Sequence, residues 1–279
     1  VEDMGQKETF HGYGPEQGYG FVKQPVQQYY AGHGVALCEE EIFISDGAKS
    51  DVGNILDLFD ADNTLFDFDR SEHEALRLTL EEAGCPFNDV TEGLYVAINR
   101  ALWTRFDLGE IPRERLVVER FDAFLRIMGL SGDPQALNRA YLDHLAHTVI
   151  LYPGAEDLCR RLAGRYTLAI ITNGVARAQR GRFEHSPLRD IIPWLFISEE
   201  VGASKPQPAF FQRVFRDMGI DDPSRALVIG DNLLTDVWGG LNAGADACWL
   251  NPRRLPGAPD VRPTWEADGF PALEALLLG

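Results

Sequence analysis

Two carboxylates stand two residues apart at the end of an apolar run, at Asp60 and Asp62. If the run is a buried strand, residues at this spacing point to the same side and can serve one site. An ionised Asp60 could attack phosphorus in line and form an aspartyl phosphate. Asp62 could first protonate the leaving alcohol and then deprotonate the hydrolytic water. By itself the pair is weak evidence, because Asp-x-Asp is more often a turn or a helix cap.

Two later segments supply groups that bind a phosphate. Thr172 offers a hydroxyl, and the segment that it shares with Asn173 offers backbone amides for phosphoryl oxygens. Lys205 adds a compact positive charge for the same oxygens and for the Asp60 carboxylate. We therefore predict that Thr172, Asn173 and Lys205 bind phosphate and that Lys205 also takes part in catalysis.

A third group of carboxylates predicts a metal site. Asp231 follows another apolar run and can join Asp60 and Asp62 in holding magnesium, because this ion prefers hard oxygen ligands. Asp236 lies five residues later at the start of a predicted helix. From there it could support the site by orienting Lys205 or a water at the metal. The sequence thus predicts a magnesium ion as the cofactor of phosphoryl transfer.

The elements that must position these residues alternate between short strands and helices. Strands are predicted at 54–59, 166–171, 194–197, 226–229 and 247–250, with helices at 154–163, 175–183, 206–218 and 233–243. This alternation is typical of an α/β protein with a Rossmann-like parallel sheet and helices on both faces. Ligands of such sheets bind beyond the carboxyl ends of the strands, where Asp60, Thr172 and Asp231 would meet.

An all-helical block interrupts this pattern after the first strand. It is predicted to begin with a capping box at Ser71 and Glu74 and to continue with helices at 91–106, 112–128 and 134–147. We interpret it as a cap that covers the crevice and excludes water. Its large aromatic residues are interpreted as cap core: Trp103, Phe106 and Phe121. Its arginines are interpreted as a mostly solvated face: Arg100, Arg105, Arg113, Arg115 and Arg120.

The composition limits partners and location. A formal charge of −17 argues against binding a nucleic acid polymer, although a small anion could still bind at a locally positive or metal-bearing site. The sequence shows no signal peptide and no membrane span, and its four cysteines are scattered as in reduced proteins. We therefore expect a cytoplasmic protein that acts on a small phosphorylated substrate. The sequence does not indicate an oligomeric state.

These motifs resemble those of the haloacid dehalogenase (HAD) superfamily of phosphatases over about residues 53–279. The segments FDADNTLFDFD from Phe59, TNG from Thr172 and GDNLLTDVWGG from Gly230 are similar to the bacterial branch of pyrimidine 5'-nucleotidases. The resemblance implies a catalytic core of residues 53–70 and 151–279 and a cap of residues 71–150. It also implies a magnesium-dependent phosphatase that acts on nucleoside 5'-monophosphates.

Residues 10–55 carry a second resemblance. GYGPEQGY from Gly12 and EIFISDGAKSDVGNI from Glu41 are similar to a fragment of LL-diaminopimelate aminotransferase, a pyridoxal-phosphate enzyme. No later segment resembles the remainder of that enzyme. We interpret residues 1–52 as an appended segment and expect low order before about residue 40.

Three other functions remain open or are set aside. A sugar-phosphate mutase of the same superfamily would use the same aspartyl phosphate. A non-catalytic remnant, or a fusion with an aminotransferase fragment, would retain the fold without the reaction. A haloacid dehalogenase is disfavoured, because the resemblance implies that this branch lacks the second carboxylate, which is present here as Asp62.

Overall fold

The computed structural model of the chain describes residues 56–279, together with Lys23, Gln27, Ala31 and Cys38. The expected low order before about residue 40 and the aminotransferase-like segment therefore lie outside the described residues, apart from those four. Among the helices that are described, none combines the length and the apolar character needed to cross a bilayer. The expected cytoplasmic location stays a prediction.

Six parallel strands form one sheet in the order β3-β2-β1-β4-β5-β6. Their bounds are β1 (Leu56–Asp60), β2 (Thr167–Thr172), β3 (Trp194–Ile197), β4 (Ala226–Gly230), β5 (Asp246–Leu250) and β6 (Trp265–Ala267). The register pairs Asp60 with Ile171 and Phe59 with Ile229, so β1 ends level with its two neighbours. The predicted α/β fold is confirmed. The sequence analysis missed β6, because three residues that include Glu266 give no apolar run.

Between β1 and β2 the chain first forms the four helices of the predicted insert. They are α1 (Phe68–Glu82), α2 (Asp89–Asp107), α3 (Arg113–Met128) and α4 (Pro134–His147). Their shared core contains a buried aromatic group in which the Tyr95 ring lies 5.1 Å from Phe121 and 5.7 Å from Tyr141. Phe121 is thus a core residue of the cap, as predicted. The domain bounds derived from the resemblance stay a prediction.

The predicted capping box at Ser71 is wrong. The helix α1 begins at Phe68, because the Asp67 side chain accepts a hydrogen bond from the Arg70 amide and caps the helix one turn earlier. The Ser71 hydroxyl instead donates to the Asp67 carbonyl, and its side chain is buried inside the helix. The sequence offers two possible N-cap residues for this helix, Asp67 and Ser71, and the structure uses Asp67.

The remaining helices follow the strands of the sheet. They are α5 (Ala155–Leu162), α6 (Ala176–Glu184), α7 (Ser198–Val201), α8 (Pro208–Asp217), α9 (Gly239–Asn242) and α10 (Phe270–Leu278), with a π-helix at Leu233–Trp238. On one face of the sheet, Leu56 and Leu58 pack with Phe210, Phe211 and Val214 of α8. Burying each such side chain stabilises the fold by about 1.5–3 kcal/mol. This cluster holds the central strand, and therefore the end that carries Asp60, in place.

Candidate active site

One cleft of about 290 Å³ contains every residue that the sequence analysis assigned to the site. The strands β1, β2 and β4 end at its floor, and the cap helices contribute its other walls. Since parallel strands share one direction, their carboxyl ends bring distant segments of the chain together. The predicted residues that line it are Asp60, Asp62, Thr172, Asn173, Lys205, Asp231 and Asp236.

Lys205 bridges two carboxylates at the floor of the cleft. Its Nζ lies 2.5 Å from Asp60 Oδ1 and 2.6 Å from Asp236 Oδ1, and the lysine is only 2% exposed. Burial disfavours the ammonium, but Asp236 and Asp60 outweigh this and raise the pKa of Lys205 above its ordinary value. For Asp60, burial raises the pKa of the carboxyl group, and the charge of Lys205 opposes that rise. A charged lysine therefore holds Asp60 in one orientation.

The π-helix after β4 positions Asp236. The Asn232 side chain accepts hydrogen bonds from the amides of Leu234 and Thr235 and caps this helix. The backbone N–H of Asn232 donates to Asp236 Oδ2 at 3.1 Å, which leaves Asp236 Oδ1 free to accept from Lys205. The sequence predicted the supporting role of Asp236 toward Lys205, and the structure brings these two residues together.

Three carboxylates form an acidic cluster that consists of Asp60, Asp231 and Asp236. One oxygen of each lies within 4.8 Å of the others. Burial, followed by the charge of Asp236, raises the pKa of Asp231 to about 7. With Lys205 the ionised cluster carries a formal charge of −2, which a divalent cation would balance. The hard oxygen donors and this charge fit magnesium.

The Asp62 carboxylate is held by α6 rather than by the acidic cluster. Gln179 Nε2 donates to Asp62 Oδ2 at 2.6 Å, and Arg182 forms an ion pair with Oδ1. Arg182 is fully buried, with its guanidinium 4.6 Å from the centre of the Phe66 ring. Both carboxylate oxygens of Asp62 thus have partners on α6, and its predicted place among the metal ligands stays a prediction. Its role in proton transfer stays a prediction.

Sequence reasoning missed the two residues that hold Asp62. Gln179 and Arg182 are three positions apart on α6, so they lie on the same side of the helix. Polar residues at this spacing usually mark a solvated face, and more than 110 residues separate them from Asp62 along the chain. The sequence gives no signal that this face is turned inward.

At the end of β2, Thr172 has a hydroxyl that can bind phosphate, whereas Asn173 supports the main chain of Lys205. The Thr172 hydroxyl accepts a hydrogen bond from the Gly174 amide at 3.0 Å and keeps its own proton to donate. The Asn173 side chain accepts from the Lys205 amide at 2.9 Å and donates to the Lys205 carbonyl at 2.8 Å. Asn173 thus holds the main chain of Lys205, while its predicted contact with phosphate stays a prediction.

The cap also contacts the core beside this site. Arg113 Nη2 donates to the Asn173 carbonyl at 2.9 Å and to the Ser198 hydroxyl at 2.5 Å. Asp107 lies 3.4 Å from Asn173 Nδ2, and burial raises its pKa to about 6. The interpretation of Arg113 as part of a solvated face is therefore wrong. The side chain links the first turn of α3 to the ends of β2 and β3.

The sheet, the inserted helices and the acidic floor of the cleft define the class of protein. The chain belongs to the haloacid dehalogenase-like hydrolases, since the model of that family matches residues 58–244. It is 37% identical to the HAD-hydrolase YfnB of Bacillus subtilis (strain 168) over 209 residues, which are 75% of this chain and 89% of YfnB. The protein is therefore a hydrolase.

Two further relatives add detail. Pyrimidine 5'-nucleotidase YjjG of Escherichia coli (strain K12) is 35% identical over 219 residues, which are 78% of this chain and 96% of YjjG. A crystal structure of YfnB bound to magnesium, described as revealing interdomain movement, has a TM-score of 0.76 at 35% identity. It covers 80% of this chain and 98% of that one. The expected resemblance to this family is confirmed.

A shorter similarity involves a different enzyme. The chain is 54% identical to LL-diaminopimelate aminotransferase of Parabacteroides distasonis (strain ATCC 8503) over 66 residues. These are 23% of this chain and only 16% of the aminotransferase. The second resemblance is thus confirmed as a fragment of that enzyme.

Proposed function

We propose that this protein is a magnesium-dependent phosphomonoester hydrolase that acts on nucleoside 5'-monophosphates through an aspartyl phosphate at Asp60. The observation that carries this proposal is the arrangement of Asp60, Lys205 and Asp236, with Asp231 completing the acidic cluster. It combines a positioned carboxylate nucleophile with a buried positive charge and ligands for a hard cation. Phosphoryl transfer needs this combination, because it depends on positioning and charge stabilisation.

In the first half of the reaction, an oxygen of Asp60 forms a bond to phosphorus while the bond from phosphorus to the ester oxygen breaks. This step uses the protonated form of Asp62, which gives its proton to the departing oxygen, so the product leaves as an alcohol and Asp62 becomes the carboxylate that pairs with Arg182. Gln179 and Arg182 fix the orientation of the Asp62 side chain, which supports this role. Lys205 and the Thr172 hydroxyl donate to the phosphoryl oxygens.

In the second half, water attacks phosphorus and gives its proton to Asp62, and the bond to Asp60 breaks to release inorganic phosphate. The same carboxylate thus acts as acid and then as base. Asp60 and Asp231 would hold magnesium, with Asp236 close by. When bound, the ion would neutralise the charge of the phosphoryl oxygens.

The substrate class rests on the relatives and on the shape of the cleft. YjjG is a pyrimidine 5'-nucleotidase, and it covers most of this chain. The floor of the cleft is charged, whereas Trp103, Tyr141 and Leu142 contribute apolar surface from the cap. A phosphate joined to a sugar and a flat heterocycle would place a charged end and an apolar end against matching surfaces.

The decisive experiment measures release of inorganic phosphate from nucleoside 5'-monophosphates, ribose 5-phosphate and p-nitrophenyl phosphate, with magnesium and with a chelator. We expect hydrolysis that requires magnesium, and a loss of about 10³-fold or more in kcat for Asp60→Asn. The matched control is Asp190→Asn, since Asp190 is exposed and its one ion-pair partner among the described residues is Arg189. It should retain wild-type turnover.

Three outcomes would contradict the proposal. Hydrolysis that continues in excess chelator would show that the reaction does not need magnesium. Near wild-type activity of Asp60→Asn would show that Asp60 is not the nucleophile. Isomerisation of a sugar phosphate without release of phosphate would favour the mutase instead.

A further inference from the structure

A buried polar network lies in the cap at the wall of the cleft. Asn99 Nδ2 donates to Glu72 Oε1 at 2.7 Å, and Arg120 Nη1 donates to Asn99 Oδ1 at 3.3 Å. Arg120 Nη2 also donates to Asn138 Oδ1 at 2.6 Å. All four side chains are buried, and Glu72, Asn99 and Arg120 line the cleft. The network joins α1, α2, α3 and α4, and the reaction described above does not use it.

This network retains hydrogen-bonding capacity toward the cleft. Within residues 56–279, no group donates to Glu72 Oε2, and no group accepts the second hydrogen of Asn99 Nδ2. Glu72 is 5% exposed and lines the cleft, so a ligand in the cleft can reach its carboxylate. Burying a carboxylate costs free energy unless it is paired, so a ligand that supplies a donor would be favoured.

The surfaces beside this network are apolar or aromatic. Val96, Trp103, Tyr141 and Leu142 line the same cleft. The Arg120 guanidinium lies 4.6 Å from the centre of the Tyr141 ring, which fixes the orientation of both groups. A flat ligand with one polar edge matches apolar walls that end at a polar network.

We propose that Glu72 and Asn99 bind the imide edge of a nucleobase, in which a ring N–H lies next to a carbonyl group, as in uracil and thymine. Glu72 Oε2 accepts the ring N–H, and Asn99 Nδ2 donates to the neighbouring carbonyl oxygen. Arg120 is a positioning residue, because it holds Asn99 Oδ1 and thereby turns Nδ2 toward Glu72 and the ligand. This inference rests on the proposed function, since the nucleobase is part of the leaving group of that reaction.

Cytosine presents the opposite pattern to the same groups, an acceptor nitrogen beside an amino donor. With an ionised Glu72 it would place two acceptors against each other and leave a buried carboxylate without a donor. A site built around buried polar groups discriminates strongly against such a ligand. Uridine 5'-monophosphate (UMP) should therefore be preferred to cytidine 5'-monophosphate (CMP) at neutral and higher pH.

The test compares kcat/KM for UMP, CMP and p-nitrophenyl phosphate in the wild type and in Glu72→Gln. The substitution keeps the size of the side chain and removes its charge. We expect UMP hydrolysis to fall about 10-fold to 100-fold, as for the loss of a charge-assisted hydrogen bond, while p-nitrophenyl phosphate hydrolysis changes less than twofold. The matched control is Glu74→Gln on the same helix, because Glu74 pairs with Arg77 outside the cleft.

The pH dependence provides a second readout that a purely structural role would not change. Burial, opposed by the Asn99 hydrogen bond and by Arg120, raises the pKa of Glu72 to about 7. The other titratable groups that act on it are Asp69, Arg100, Tyr95 and Tyr141. The ratio of kcat/KM for UMP to that for CMP should rise between pH 6 and 8.5 in the wild type and stay constant in Glu72→Gln.

Equal losses for UMP and p-nitrophenyl phosphate in Glu72→Gln would overturn the inference, and so would a wild type that prefers CMP at pH 8. If Glu72→Gln does not fold, Asn99→Ala is measured in the same way and should also lose UMP hydrolysis selectively. Calorimetric binding of UMP and CMP to Asp60→Asn tests the cap independently of turnover. If no substrate is hydrolysed but UMP binds about ten times more tightly than CMP, the proposed function is wrong and this inference is still supported. Equal binding would overturn it.

Discussion

At the scale of single residues, the site depends on a close approach between the end of β4 and the Asp236 carboxylate. A Cβ atom added at Gly230 would overlap Oδ2 and Cγ of Asp236. Only glycine therefore allows Asp236 to reach Lys205 from the π-helix. The sequence shows Gly230 next to Asp231, which resembles an ordinary turn, and the reason for the glycine becomes visible only with Asp236 in place.

We predict that Gly230→Ala lowers kcat/KM for p-nitrophenyl phosphate by about 100-fold or more. The displaced Asp236 would leave Lys205 with a single carboxylate partner, and breaking a buried ion pair is costly. Steady-state kinetics measure the effect. The control is Gly93→Ala on the exposed side of α2, where an added Cβ meets nothing within 4 Å. It should retain activity and increase the free energy of unfolding by about 0.5–1 kcal/mol.

At the scale of elements, the helices α2 and α3 do more than cover the cleft. Arg113 at the start of α3 binds the main chain after β2 and the first residue of α7, and Arg120 of the same helix is buried in the cap network. Both were interpreted from the sequence as solvated. Helical periodicity identifies the apolar side of a helix, but it does not show which polar residues meet another element.

We predict that Arg113→Ala reduces kcat/KM by roughly 5-fold to 50-fold, because two cap–core hydrogen bonds of about 1 kcal/mol or more each are lost. The melting temperature should change by only a few degrees, since both the cap and the core keep their own apolar clusters. Kinetics and thermal unfolding are measured together. The control is Arg115→Ala two residues further, because within residues 56–279 Arg115 forms an ion pair with Glu119 of the same helix and with no other residue. Equal effects of the two substitutions would argue against a specific role for Arg113.

At the scale of the whole molecule, the buried Asp57 carboxyl group makes the stability of the fold depend on pH. Asp57 is the second residue of β1, and both its carboxyl oxygens are buried without a hydrogen-bond partner among the described residues. Burial raises its pKa well above the ordinary value. The folded protein therefore binds the Asp57 proton more tightly than the unfolded chain does, and this contribution to stability is lost as the pH rises from about 4 through the folded-state pKa.

We predict that the free energy of unfolding of the wild type, relative to Asp57→Asn, decreases as the pH rises from 4.5 to 8. The slope cannot exceed about 1.4 kcal/mol per pH unit for one group. Urea unfolding at several pH values measures the difference, and the catalytic carboxylates cancel because both proteins contain them. The exposed Asp190→Asn variant is measured in parallel as a control for replacing an Asp by Asn. A constant difference for Asp57→Asn would show that Asp57 is ionised in the folded protein.

The sequence by itself determined the fold class and the residues that meet in the cleft. Apolar strand runs identify a parallel sheet, and polar residues at their carboxyl ends must converge because parallel strands share one direction. Asp60, Thr172 and Asp231 follow from this rule alone. Tertiary structure decided how each side chain is held, because the partners of Asp62, Arg113 and Glu72 lie on other elements, 117, 60 and 27 residues away along the chain. No local pattern records such contacts, since they depend on how separate elements pack against each other.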